Sequence, residues 1–87
     1  MKIILDAEQL NTPEPAQSYL MEKFDFPSYY GKNLDALFDC LMEMKDIEIH
    51  FEHVEAAGAY FKKLLRVFKE ASEENPSISM MIDDFQK

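Results

Sequence analysis

DIEIHFEH, residues 46–53, alternates Ile47, Ile49 and Phe51 with Glu48, His50 and Glu52. A period of two is the mark of a β-strand with one apolar and one wetter face. The wetter face predicts a place at the edge of a sheet. Helical patterns flank this strand on both sides, and that alternation decides the architecture.

Upstream, MKIILD (residues 1–6) reads as a short buried strand, with Ile3, Ile4 and Leu5 bounded by Asp6. Thr12 before Pro13 resembles an N-cap with proline at the first helical position. Ala16, Tyr19, Leu20 and Lys23 or Phe24 then follow one helical face, which ends before Pro27. FPSYYGK, residues 26–32, is a loop punctuated by Pro27 and Gly31. Asn33 is a candidate N-cap for a second helix carrying Leu34, Leu37, Phe38, Leu41 and Met44 at helical spacing. Downstream, a long helix is expected from Val54 to Glu74, with Tyr60, Phe61, Leu64, Leu65, Val67 and Phe68 inward and a break allowed at Gly58. Asn75-Pro76 ends it. Ser77–Ile82 is a third strand, with Met80 and Met81 as core filler, followed by a polar tail in which Asp83 and Asp84 form a solvated end. The order β-α-α-β-α-β predicts an α/β fold: a three-stranded parallel sheet with right-handed crossovers, packed with three to four helices. One domain, residues 1–87, accounts for the whole sequence.

Composition narrows the function. Hydrophobic residues make up 47% and charged residues 30%, the balance of a globular domain. A net charge of −8 disfavours direct contact with nucleic-acid phosphates, which requires a basic footprint. It favours a cationic protein partner, whose encounter an acidic field accelerates; acidity that merely confers solubility is the plain alternative. No apolar run approaches the ~20 residues of a membrane span, and MKIILDAEQL is too short and too early acidic for a signal peptide. One cysteine, Cys40, cannot form an internal disulfide, in keeping with a reducing cytoplasm.

Much chemistry is excluded. Two glycines cannot build a P-loop or a dinucleotide loop. Cys40, His50 and His53 show no metal-ligand spacing, and the two histidines would face opposite sides of a strand, so neither a metal nor a cofactor is expected. Cys40 reads as a small buried hydrophobe. What remains is YYGKNLDALFDC, residues 29–40. A helical wheel turns Leu34, Leu37 and Leu41 inward, Asp35 and Asp39 outward, and sets Phe38 on the boundary. Any one of these residues is unremarkable: a solvated helix face, or tyrosines in a core. Together they outline a protein-binding patch.

YYGKNLDALFDCL (residues 29–41) resembles the signature of the barstar family, the intracellular inhibitors of secreted barnase-type ribonucleases. The similarity extends to the first strand, the FPSYYG approach and VFKEA (residues 67–71). The resemblance implies a cytoplasmic, bacterial immunity protein, monomeric when free, that plugs the active site of a basic secreted ribonuclease. It implies a partner-binding set of Tyr29, Tyr30, Gly31, Asn33, Asp35, Phe38, Asp39 and Glu70. Asp39 would occupy the phosphate site and Asp35 neighbouring basic groups. Tyr29 would pack on the catalytic histidine, Gly31 and Asn33 would shape the loop, and Glu70 would add charge from the adjacent helix. Phe38 stands where the family's best-known member has tryptophan, Lys32 adds a positive charge to the loop, and the segment before VFKEA is short. Two other readings compete: an acidic module for a non-nuclease basic partner, and an enzyme using Asp35 and Asp39 as an acid–base pair.

Overall fold

The computed structural model describes residues 1–56 and 58–82, with only the backbone of residue 56. The expected acidic end at Asp83 and Asp84 lies outside the described residues. Three strands, β1 (Lys2–Asp6), β2 (Ile47–Glu52) and β3 (Ile78–Ile82), alternate with three helices, α1 (Pro13–Phe24), α2 (Leu34–Met42) and α3 (Ala59–Glu74). All strand pairs are parallel and their spatial order is β1-β2-β3.

That order corrects one expectation: β2 is the central strand. Its alternation has a different cause. Ile3 pairs with Ile49, Leu5 with Phe51 and Ile47 with Ile78, and all six are buried. The intervening row, Ile4–His50–Met81, lies on the opposite face. There Ile4 and Met81 are exposed, at 43% and 53%, and His50 is half-buried. The polar positions of β2 therefore mark a sheet face left open beside a covered one, as a two-layer fold demands. Met81 belongs to the open face and is not core filler; Met80, on the covered face, is half-buried.

The core runs from this sheet through a series of rings. Phe51 meets Phe61 and Phe68 edge-on, at centroid distances of 5.6 and 5.3 Å. Phe68 lies 6.1 Å from Phe24, Phe24 stacks on Phe26 at 5.2 Å, and Phe26 meets Tyr30 at 4.7 Å. Such pairs add about 0.5–1.5 kcal/mol each beyond their buried area. They tie the central strand to the loop ahead of α2.

The helix ends follow local chemistry. Pro13 opens α1, but Thr12 makes no side-chain cap bond. Asp25 closes α1 in the left-handed region (φ 56°), and Phe26 N–H donates to the Met21 carbonyl at 3.0 Å, a C-terminal lock usually built on glycine. The expected Val54–Glu74 helix is divided. Residues 54–56 make a single 3-10 turn, and α3 begins after Gly58, whose extended backbone donates its N–H to Asn11 Oδ1 at 2.8 Å. A residue held that way cannot continue a helix from the N-terminal side. His53 also lies outside β2, in the left-handed region at φ 59°. At the far end, Asn75 Nδ2 donates toward the carbonyls of Leu41, Met42 and Met44 at 3.1, 3.4 and 2.9 Å, fastening the end of α2 to the end of α3.

Candidate docking site

The loop and helix singled out in the sequence form one surface, and each part has a local cause. Asn33 caps α2: its Oδ1 accepts from Ala36 N–H at 2.7 Å, satisfying one of the free donors of the first turn. Its Nδ2 reaches back to the Gly31 carbonyl at 3.3 Å. Gly31 is held by space. A Cβ there would stand 3.2 Å from Asn33 Nδ2 and 3.3 Å from Ala36 Cβ, so a side chain would push the cap aside. The left-handed residue of the loop is Lys32, at φ 55°, a conformation that costs a non-glycine residue of order 1 kcal/mol. Its Nζ lies 3.5 Å from Ser18 Oγ, directed toward α1.

The adjacent tyrosines part company. Tyr29 is 87% exposed, while Tyr30 is buried at 6%. Tyr30 therefore leaves the expected contact set: its ring packs on Phe26, its N–H donates to the Pro27 carbonyl at 2.9 Å, and its hydroxyl donates to Gln17 Oε1. Burial pushes the Tyr30 phenol well above its ordinary pKa, so it remains a donor.

Asp35 and Asp39 are both exposed on the outer ridge of α2, and among the described residues neither carboxylate has a hydrogen-bond or ion-pair partner. Two grooves flank the ridge. One, of about 450 Å³, lies between α2 and α3 and is lined by Leu34, Asp35, Phe38, Asp39, Val67 and Glu70. The structure thus brings Glu70 beside both aspartates, with half-buried Phe38 and Val67 supplying apolar surface. The other, of about 350 Å³, lies between the tyrosine loop and the end of α2; its lining includes Asp25, Tyr29, Asp39, Cys40 and Glu43. Asp39 borders both grooves. Cys40 is half-buried rather than enclosed, and burial, then Glu43 and Asp39, push its thiol pKa up.

Two members of this surface escaped the sequence reading. Glu43 follows Asp39 by four residues, so the series 35, 39, 43 sets an acid at every turn, a spacing legible in principle. Asp25 had no such signal, since its place depends on the left-handed end of α1. The arrangement offers charge on an open surface; acid–base catalysis needs an enclosure that drives paired carboxylates apart, and an open ridge does not supply it. One trio among the described residues, Asp6, Glu8 and His53, gathers potential metal-ligating atoms within 4.8 Å of one another. Two of those groups already serve each other, since Asp6 Oδ1 meets His53 Nδ1 at 2.9 Å and also accepts from the Glu8 backbone N–H at 3.0 Å. No helix among the described residues is long and apolar enough to cross a membrane.

Comparison with known proteins identifies the family. The family model described as Barstar (barnase inhibitor) matches residues 1–83. A protein of Bacillus subtilis (strain 168), named "Putative ribonuclease inhibitor YrdF", is 40% identical over 79 residues, spanning 84% of this chain and 87% of its own length. A family match over nearly the whole sequence, joined to a relative this similar end to end, places the chain in the barstar family.

Proposed function

We propose that this protein is an inhibitor of a basic, barnase-type ribonuclease, acting by occlusion of the nuclease active site. The observation that carries the reading is Asp39: an exposed carboxylate without a hydrogen-bond or ion-pair partner among the described residues, on the rim shared by two acidic grooves. A nuclease cleft built to hold phosphates presents converging cations, and a carboxylate on a rigid helix can stand in for the phosphate. Asp35 and Glu70 extend the charge on one side, Asp25 and Glu43 on the other. Tyr29 offers a free aromatic face for stacking, and Phe38 with Val67 supplies the apolar contact that interface centres require. A standard interface buries about 800 Å² per partner. Of the 5387 Å² this chain exposes, that is about one-seventh.

The test is a titration of nuclease activity. Inhibition should break sharply near one equivalent, and the inhibitor should be recovered unaltered. The target is sought among the small basic ribonucleases encoded by the source organism. Capture of a non-nuclease basic protein, with no ribonuclease inhibited, would move the same acidic ridge to a different partner class.

A further inference from the structure

We infer that Gln17 is a positioning residue for the docking loop, acting through the tyrosines at its two ends; the inference rests on the inhibitor reading above. Gln17 is the buried polar side chain of the described core, at 1% exposure, on the face of α1 that otherwise carries Ala16, Leu20 and Phe24. A buried amide is costly unless both of its groups are paired. Both are. Oε1 accepts from the Tyr30 hydroxyl, and Nε2 donates to the Tyr60 hydroxyl at 2.8 Å. One side chain on α1 thereby joins the loop to the first turn of α3.

The first bond holds the tip of the Tyr30 ring and the second anchors Gln17 to α3; Phe26 packs on the same ring, and the Pro27 carbonyl holds the Tyr30 N–H. What flanks Tyr30 in sequence is the docking surface itself: exposed Tyr29 on one side, Gly31 to Asn33 and the start of α2 on the other. Of the other side-chain tethers here, Lys32 to Ser18 and Asn33 to Gly31 are exposed and long, at 3.5 and 3.3 Å, while the 2.7 Å cap from Asn33 to Ala36 is exposed and joins the loop only to the adjoining helix. A loop with few contacts of its own belongs to the easily opened part of a protein. Ordering it before encounter removes that ordering cost from binding. The Gln17 network is the element that can do so, because it is buried and directional.

Stability alone cannot distinguish this role from plain core packing, so the test separates the two. Gln17→Leu leaves the buried Tyr30 hydroxyl and the half-buried Tyr60 hydroxyl unpaired and should destabilise the fold. Gln17→Leu combined with Tyr30→Phe and Tyr60→Phe removes every polar partner together, and replacement by apolar groups of similar shape should restore most of the stability. If Gln17 positions the loop, the triple variant recovers protection at Ile49 and Phe51 amides, yet its Tyr30 amide exchanges at least tenfold faster than wild type. Backbone order parameters over residues 29–33 should also fall. Tyr30→Phe alone leaves the Gln17–Tyr60 bond in place and should move the same amide in the same direction. Loop order that returns in step with stability overturns the inference. The variants are then titrated against the nuclease that wild type inhibits, where the association rate should drop about tenfold. If wild type inhibits no nuclease, the inhibitor reading fails, while the amide measurements on the free protein still decide the role of Gln17.

Discussion

Asp39→Ala should make the free protein more stable and the complex far weaker. Asp39 is the sixth residue of α2, beyond the first turn in which the helix dipole favours an acid. One turn before it stands Asp35, and one turn after it Glu43, whose backbone is still helical at φ −97° and ψ −2°. Each like-charge pair at that spacing costs roughly 0.2–0.5 kcal/mol, and aspartate is a poorer interior helix former than alanine by about 0.6 kcal/mol. No hydrogen bond of the Asp39 carboxylate offsets these terms among the described residues. Their sum is about 1–1.5 kcal/mol in low salt, which for a domain of this size raises the melting temperature by roughly 4–12 °C. In the complex the sign reverses. On the proposed reading, removing the acid would leave the cations of the nuclease cleft buried and unpaired, a penalty that should outweigh the gain in the free state. Paired thermal melts at low and moderate ionic strength, with binding titrations of both proteins, measure the two effects. A mutant that melts lower and binds unchanged would show that Asp39 serves the fold and would refute the reasoning.

Other expectations are more local. With a net charge of −8, association with a cationic cleft should slow steeply as salt rises, since screening shortens to about 10 Å at 0.1 M ionic strength; stopped-flow rates across a salt series check this. Lys32→Glu should accelerate association, because it removes a cation tethered only by a 3.5 Å contact to Ser18; slower association would mean an acidic group opposite it on the partner. Asn75→Ala should cost about 2 kcal/mol, roughly 8–16 °C in melting temperature, as it frees the carbonyls at the end of α2 that Nδ2 now shares. His53 carries a pH dependence of definite sign. Its hydrogen bond to Asp6, then charge from Asp6, Glu8 and Glu55, raises its pKa above 6.5. The stability it contributes is therefore complete below pH 6.5 and is lost as pH rises through the raised value. Urea midpoints of wild type and His53→Gln should converge between pH 5.5 and pH 8.5, and a constant difference would exclude the linkage.

The order of elements was legible because each segment's period, cap or breaker agrees with its place in the fold. The Asn33 cap and the outward turn of Asp35 and Asp39 are local facts, and local patterns report them. What stayed hidden depends on neighbours distant in sequence. The alternation in β2 indicated a wetter face but could not say whether an edge or an uncovered central strand produced it. Tyr29 and Tyr30 carry no period, since a loop has none; the ring series from Phe24 to Phe26 and the Gln17 amide, both supplied from outside the pair, turn Tyr30 inward. Gln17 reads as an outward polar residue until two tyrosine hydroxyls from other elements are brought to it. Gly58 halts the helix because Asn11, forty-seven positions away, holds its N–H.

The parallel sheet also sets the order in which this protein becomes active. Lys2 pairs with Glu48 and Ile47 with Ile78, so no strand can bond to its neighbour until a whole helical crossover has been made. On the ribosome, α2 and its acids emerge well before α3, which packs on α2, and before Asn75, which fastens its end. At about 5–20 residues per second, some 2–7 s separate synthesis of the ridge from synthesis of β3. During that interval the nascent chain carries the charges of the docking surface without their geometry. On the proposed inhibitor reading, the ridge acquires its docking geometry only after α3 and β3 have been made.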